Sequence, residues 1–252
     1  MKKVKNTICL LTVFIYTGLV NTIAQDADFI LKKMDYITIA PKDKEGKVSI
    51  ILIDKAGNEK IREAQMLQKG MQKKLYRYTQ PSSQAGIATL TLSDSVMWLY
   101  LPVLGKPKKI SMLSNDFAFN NTDFSFEDMV TTPYADRFIP ELIESSGSLY
   151  VLKLVPKPGK SNYSQIIARI NKVNGYLESM DIYDQKGKKI KEAVYKYEKV
   201  GKYWNASEVV MIDLEKNHRT KILTKEVKFD QGLPDELFLV ENLRPSNNKK
   251  VN

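Results

Sequence analysis

The chain has almost none of the residues from which disulfides, thiolate sites or histidine-based sites are built. Its 252 residues include one cysteine, Cys9, and one histidine, His218. Cys9 lies in a leader described below, so the mature chain has no disulfide, thiol nucleophile or thiolate metal site. His218 stands in the predicted turn EKNHRT, which favours a solvated turn residue over a catalytic base. We expect neither a metal nor a cofactor.

Phosphate-binding loops and convincing acid pairs are also missing. Neither G-x-G-x-x-G nor G-x-x-x-x-G-K occurs. Asp116, Asp123, Glu127 and Asp128 form a cluster that could serve a glycosidase or a calcium site. The spacing Ser125-x-x-Asp128, however, is typical of capping at a helix start, and no calcium-loop pattern accompanies it. We therefore expect no enzyme, and a hydrolase using Asp123 and Asp128 is a remote alternative.

The first 24 residues have the pattern of an export signal. Lys2, Lys3 and Lys5 precede the mostly apolar run Ile8–Val20, and Thr22-Ile23-Ala24 fits a cleavage site. A transmembrane anchor is the alternative, but the run is shorter than the ~20 apolar residues that span a bilayer. Cys9 is too early for a lipoprotein acylation site. The sequence predicts export to the periplasm and a mature chain that starts at Gln25.

The mature chain is long enough for one domain and moderately basic. We assign residues 25–244 to a single domain and 245–252 to a polar tail. Removing the three leader lysines from the 39 basic residues leaves 36 against 29 acidic residues, a net charge of +7. The lysines are scattered among turns, which indicates solvated turns and no nucleic-acid surface. Attraction to an anionic membrane is the alternative that this charge leaves open.

Turn-forming residues recur at short intervals and predict about ten antiparallel strands with few helices. The predicted strands are 48–53, 61–67, 74–78, 87–92, 97–101, 149–155, 166–171, 177–183, 190–197, 207–214 and 221–229. Helical signals are limited to ADFILKKM after Asp26, a turn at FSFEDMV, the segment PYADRFIPELI, and LPDELF. This pattern predicts an α+β, β-dominated class.

Several predicted strands are apolar on both faces, which requires protein on both sides of the sheet. Met97–Leu101 is apolar at every position, whereas an antiparallel sheet commonly has one wet, polar face. A sandwich of two sheets, or a strongly curved sheet covered by helices on the inside, would satisfy this. The curved sheet could leave an apolar cavity suited to an acyl chain, and a completely filled core is the alternative.

Five segments together resemble the bacterial outer membrane lipoprotein-sorting family, whose domain is similar to the carrier LolA. They are GMQKKLYRYTQPSSQAGIATLTL, MWLYLPVLGKPKKI, NDFAFNNTDFSFEDM, LYVLKLVPK and GLPDELF, within Phe29 to Leu243. Relatives typically have a Met-Gly pair at the place of Phe119–Asn121, so here asparagine has to hold a backbone conformation that is easy for glycine. The resemblance implies a half-open, curved antiparallel β-barrel with short helices as a lid.

The resemblance also implies a non-covalent carrier that shuttles acyl chains of lipoproteins or lipids to the outer membrane. The predicted cavity-wall residues are Trp98, Leu99, Tyr100, Leu101, Phe124 and Phe126, although the sequence does not decide which face of strand 97–101 looks inward. We expect a monomer whose partners are acyl chains and an acceptor protein in the inner or outer membrane. A scaffold or envelope-stress sensor comparable to RseB-type regulators is the alternative.

Overall fold

A computed structural model describes residues 26–92, 96–111, 121–130 and 132–244, and thirteen strands of this part form one antiparallel sheet. The strands are β1 Asp43–Ile53, β2 Glu59–Lys69, β3 Lys73–Gln80, β4 Ala88–Leu92, β5 Val96–Tyr100, β6 Pro107–Ser111, β7 Phe138–Ser146, β8 Leu149–Pro156, β9 Gln165–Asn171, β10 Leu177–Tyr183, β11 Lys189–Val200, β12 Tyr203–Asp213 and β13 His218–Phe229. The helical segments are α1 (residues 26–39), α2 (Tyr134–Arg137) and short 3-10 helices at Pro102–Leu104, Glu127–Met129, Asp235–Phe238 and Val240–Leu243.

The topology is two meanders that meet in the middle of the sheet. The strand order is β6-β5-β4-β3-β2-β1-β13-β12-β11-β10-β9-β8-β7, so the sheet has two edges and is not closed. β1 pairs with β13 as well as with β2. β6 and β7, which are consecutive strands in the chain, therefore lie at opposite edges of the sheet.

Two of the hairpins use the same local device, a D-x-x-G turn. The Asp54 carboxylate accepts hydrogen bonds from the backbone N–H groups of Ala56 and Asn58, and Gly57 has a φ of 84°. The Asp184 carboxylate accepts equivalent bonds in the β10–β11 turn, where Gly187 has a φ of 78°. Aspartate satisfies the turn N–H groups and glycine adopts positive φ without a steric penalty, so these turns are encoded locally.

Apolar side chains form two clusters on opposite faces of the sheet. The larger cluster joins side chains from β5 near one edge to β7 at the other, so the sheet curves around it, and we call this side the inner face. α1 and residues 121–130 pack on it and together form the inner cover. The smaller cluster joins β2–β5 to residues 233–243, which form the outer cover of the outer face. Doubly apolar strands such as β5 are explained by these two covers.

The strand count and one helix were predicted wrongly. Thirteen strands are present in the described residues, not about ten, because β6 and β7 at the two edges were missed. The segment FIPELI was predicted to be helical but lies in β7, and only Tyr134–Arg137 of that segment is helix. The i, i+4 spacing of Phe138 and Leu142 fits either structure. Pro140 is compatible with a strand here because β7 is an edge strand.

Other predictions were confirmed or fall outside the described residues. Asn121 has a φ of 58°, as expected for an asparagine at a glycine-like position. A 3-10 turn is present in FSFEDMV and another in LPDELF. The predicted leader, residues 1–24, and the predicted tail, 245–252, lie outside the described residues. Within the part that is described, no helix combines the length and the apolarity needed to cross a membrane.

Candidate functional site

Helix α1 lies on the inner face through one apolar stripe. Ala27, Ile30, Leu31 and Met34 follow the i, i+3, i+4, i+7 spacing and are buried in the inner cluster. The Asp35 carboxylate also accepts hydrogen bonds from the N–H groups of Tyr134 (3.0 Å) and Ala135 at the start of α2. The attachment of α1 is thus mostly apolar, with one carboxylate that fixes it to the chain after the inner cover.

A hollow of about 420 Å³ lies between the N-terminal half of α1 and the ends of β7, β8 and β9, and we call it the α1 hollow. Its apolar lining comes from Phe29, Ile30, Leu142, Tyr150 and Ile170. This volume is within the range of small-molecule sites, and the apolar part of the lining, about half of it, suits an acyl chain. The α1 hollow is therefore a partly apolar space on the inner face.

The rim of the α1 hollow has two lysines and one aspartate. Lys33 and Lys172 line it together with Asp26. The Lys172 ammonium lies 5.2 Å from the centre of the Tyr150 ring. A Cβ atom on Gly175 would come within 3.0 Å of the Lys33 side chain, so glycine leaves the space that this lysine occupies. Among the residues described, neither lysine forms an ion pair, which leaves both charges available to an anionic group.

A second, smaller hollow of about 130 Å³ lies at the C-terminal half of α1. Met34, Leu177, Tyr134, Tyr195 and Tyr197 line it. Burial raises the pKa of all three tyrosines above the ordinary value of 10, so their hydroxyl groups remain neutral. The Tyr134 hydroxyl donates to the Met180 sulfur at 3.5 Å. This hollow therefore offers aromatic surface and neutral hydroxyl groups.

Two further lysines lie on the inner face beside the second hollow. Lys44 and Lys74 flank Gln68 across β1, β2 and β3, and Gln68 and Lys74 line the hollow. Burial, together with the charge of Lys74, lowers the pKa of Lys44 to about 8, against a smaller opposing effect of Glu198. An anionic group close to Lys44 would favour its charged form. Sequence reasoning missed this pair because its members are thirty residues apart.

The six residues predicted to wall a cavity do not lie on one wall. Leu99 and Leu101 pack against the inner cluster, which also contains Phe124 and Phe126. Trp98 and Tyr100 face the other way and pack in the outer cluster. The structure thus decides which face of β5 looks inward, and it places Trp98 and Tyr100 on the opposite side of the sheet from α1. Ligand contact by the four inner residues stays a prediction.

The inner cover carries a buried ion pair. The Arg137 guanidinium donates to Glu127 at 2.5 Å, and both side chains are buried. The same carboxylate accepts from the Ser161 hydroxyl and from the Asn162 N–H at 3.0 Å. Burial raises the pKa of Glu127 above its ordinary value although Arg137 opposes this. Glu127 therefore fixes the inner cover to the β8–β9 loop at the cost of desolvating two charges.

Asp128 forms the neighbouring contact and confirms the capping interpretation. It accepts from the Ser125 N–H at 2.7 Å, and its own N–H donates to the Ser125 hydroxyl. The Tyr163 hydroxyl (2.8 Å) and the Lys191 ammonium (2.9 Å) donate to the same carboxylate. Burial would raise the pKa of Asp128, but Lys191 and these hydrogen bonds outweigh burial and lower it. The predicted local role is present, and Asp128 is in addition tethered to the β8–β9 loop and to β11, which spacing alone does not reveal.

The prediction that His218 is a solvated turn residue is wrong. Its Nδ1 lies 2.7 Å from the carboxylate of Asp123, a buried residue, and only 24% of the His218 side chain is exposed. The Thr220 hydroxyl donates to the same carboxylate at 2.6 Å. No local signal could have paired His218 with a residue 95 positions away. Thr220 bonds the carboxylate and not the imidazole, so the trio anchors the inner cover and does not form a nucleophile–histidine pair.

Comparison with known proteins identifies the fold. A family model described as "Uncharacterized protein" matches residues 70–245, more than half of the chain. An outer membrane lipoprotein-sorting protein domain from Vibrio parahaemolyticus has a TM-score of 0.80 at 23% identity, covering 87% of this chain and 99% of its own. A DUF1329 family protein from Desulfovibrio piger has a TM-score of 0.81 at 21% identity, covering 88% and 99%.

A LolA superfamily protein from Nitrosomonas europaea is also similar, with a TM-score of 0.71 at 21% identity, covering 84% of this chain and 97% of its own. No curated protein matches the chain in sequence. The resemblance drawn from the sequence motifs is confirmed at the level of the fold. The fold is a curved, open, LolA-like antiparallel sheet with few short helices.

Proposed function

The chain belongs to the family that the matching model describes as "Uncharacterized protein" and has a LolA-like fold, and we propose that it is a periplasmic carrier of acyl chains. It binds lipids or the acyl groups of lipoproteins without covalent chemistry and delivers them to the outer membrane. The observation that carries this proposal is the α1 hollow, a partly apolar space on the inner face with two rim lysines that form no ion pair among the described residues.

The energetics suit a carrier. Each methylene removed from water contributes about 0.8 kcal/mol, so a 16-carbon chain offers on the order of 10 kcal/mol before ordering costs. That is sufficient for binding, and a membrane offers equal burial at the point of release. The rim lysines Lys33 and Lys172 favour a ligand with an anionic group near the end of its chain.

A long chain needs more space than the α1 hollow provides, and side chains fill the rest of the inner face. The apolar stripe of α1 and the side chains of Phe124, Phe126 and Met129 belong to this filled inner cluster. A ligand that displaced them would exchange one set of apolar contacts for another. We propose that acyl chains enter at the α1 hollow and continue along the inner face, beside Leu99 and Leu101.

Lipid analysis of the purified protein tests the proposal. Native mass spectrometry and solvent extraction should identify bound acyl lipid, and a fluorescent fatty acid should bind the delipidated protein. Ser145→Phe fills the α1 hollow from its rim and should weaken the probe at least about tenfold. Ser146→Phe is the matched control, since the next residue of β7 faces the opposite side, and it should bind normally.

The outcome that contradicts the proposal is protein that is free of lipid and takes up no acyl probe. If S145F and S146F bind the probe with the same affinity, the α1 hollow is not the binding site. The scaffold or sensor alternative predicts capture of a membrane protein partner without lipid transfer.

A further inference from the structure

The turn between β5 and β6 presents two apolar side chains to solvent. Val103 is 89% exposed and Leu104 54% exposed, and they are adjacent in the 3-10 helix Pro102–Leu104. Val103 is the most exposed of the large apolar side chains in the described residues. Single exposed apolar residues are common on protein surfaces, but these two are adjacent at the tip of one hairpin and form a small apolar patch.

The backbone of this tip is fixed. Pro102 restricts its own φ, and Gly105 ends the turn with a φ of 63°. The N–H groups of Leu104 and Gly105 donate to the Leu101 carbonyl at 2.9 and 3.3 Å. Val103 and Leu104 are therefore held outward, and little conformational entropy remains to be lost when the tip contacts a partner.

The residues after the tip are positively charged. Lys106, Lys108 and Lys109 are exposed, and the sequence has no acidic residue from Val96 to Ser111. The 3-10 helix Val240–Leu243 packs near β6 and contributes one acidic residue, Glu241, to this neighbourhood. Lysines on an edge strand such as β6 protect it from pairing with other chains. That role does not require two solvent-exposed apolar side chains beside them.

We propose that this tip docks the protein onto a lipid bilayer that contains anionic lipids. Val103 and Leu104 enter the interfacial region, while the three lysines contact the lipid headgroups. A single weak apolar anchor gives marginal, reversible membrane binding, and a basic cluster supplies the second signal needed for stable attachment. Charge complementarity selects an anionic bilayer as the partner.

Vesicle flotation tests the proposal. The purified protein should float with vesicles of phosphatidylcholine mixed with phosphatidylglycerol and far less with phosphatidylcholine alone. K106Q/K108Q/K109Q should lose on the order of 100-fold in affinity at low salt, from about fivefold per lysine. V103S/L104S should lose at least about tenfold. All five positions are exposed, so thermal stability should stay unchanged in both variants.

Matched controls separate the tip from general effects of charge and apolarity. K55Q/K60Q/K225Q removes the same charge from exposed positions elsewhere, and V173S removes a valine that is 81% exposed in the β9–β10 turn. Both should bind vesicles as the wild type does. Absence of vesicle binding by the wild type, or equal losses in the tip variants and their controls, would overturn the proposal.

Two further measurements separate membrane docking from the carrier function and from self-association. Acyl-probe affinity should be unchanged in V103S/L104S. Vesicle docking and acyl binding are therefore measured independently, and either proposal can fail while the other stands. If light scattering detects a dimer that V103S/L104S dissolves while vesicle binding is unchanged, the tip is a self-association surface and the membrane proposal is wrong.

Discussion

The two covers of the sheet are held in different ways. Residues 121–130 of the inner cover are tied to neighbouring elements by side-chain ion pairs and by the Asp123–His218 contact, all between titratable groups. The outer cover is tied mainly through its backbone: Asp43 accepts from the N–H groups of residues 231, 232 and 233, and the Arg77 guanidinium donates to the carbonyls of Asn242 and Leu243. Both covers shield an apolar face, but only the inner one depends on pairs of buried charges.

This difference suits the proposed function. The outer cover contributes only backbone N–H and C=O groups to these hydrogen bonds with Asp43 and Arg77, so replacement of its own side chains leaves the bonding groups in place. Buried charges carry a desolvation cost that their ion-pair partners must offset. Removal of one partner therefore strongly destabilises a cover that is held by buried charges. We expect the inner cover to respond to mutation and pH more than the outer one does.

The largest expected effect comes from the buried ion pair of the inner cover. Arg137→Met leaves the Glu127 carboxylate buried without its partner and should cost about 3–5 kcal/mol of unfolding free energy. Chemical denaturation measures this. Lys47→Met is the control, because Lys47 and Glu226 form an exposed pair at 3.1 Å, and its cost should be below about 1 kcal/mol. Equal costs would remove the distinction between the inner cover and ordinary surface pairs.

A smaller loss is expected from the outer cover. Asp43→Ala leaves three backbone N–H groups without an acceptor and should cost about 2–3 kcal/mol. Trp98 packs beneath this cover, so in a Trp204→Phe background its fluorescence should shift to the red if residues 233–243 detach. Acyl-probe affinity should be unchanged in D43A. A loss of probe binding would show that the two faces are coupled.

The smallest effect is a pH dependence of stability from Asp128. Its pKa is lowered below the ordinary 3.8, so the folded state binds fewer protons than the unfolded state near that pH. The resulting stability is fully present above about pH 4 and is lost as the pH falls through the lower pKa of the folded state. Asp128→Asn should therefore flatten the acid side of the stability–pH curve. An unchanged acid limb in D128N would contradict the assignment.

Local sequence signals predicted the features that depend on a few neighbouring residues. The turns between the predicted strands at Asp54 and Asp184, the Ser125–Asp128 exchange and the left-handed Asn121 all appear where the sequence placed them. Each is satisfied by bonds or dihedral angles within about five residues. Edge strands were missed for the converse reason, since β6 and β7 have one neighbour each and little apolar alternation to reveal them.

The candidate site was less predictable, because its residues come from distant parts of the chain. The α1 hollow combines Lys33 with Tyr150 and Lys172, and no spacing rule connects α1 to the start of β8 and the turn after β9. For β5, the sequence showed that Trp98 and Tyr100 lie on one face and Leu99 and Leu101 on the other, but it did not show which face looks inward. His218 could not be paired with Asp123 because 95 residues separate them.

By itself, the sequence determined that β5 has no wet face, since alternation along a strand assigns each side chain to one of two sides and all were apolar. Only the tertiary structure decided what covers each side: α1 and residues 121–130 on one, residues 233–243 on the other. The hydrophobic effect is non-directional, so it rewards any apolar cover equally. The choice among covers is made by directional contacts between groups far apart in the chain, such as those of Asp43, Asp123 and Glu127.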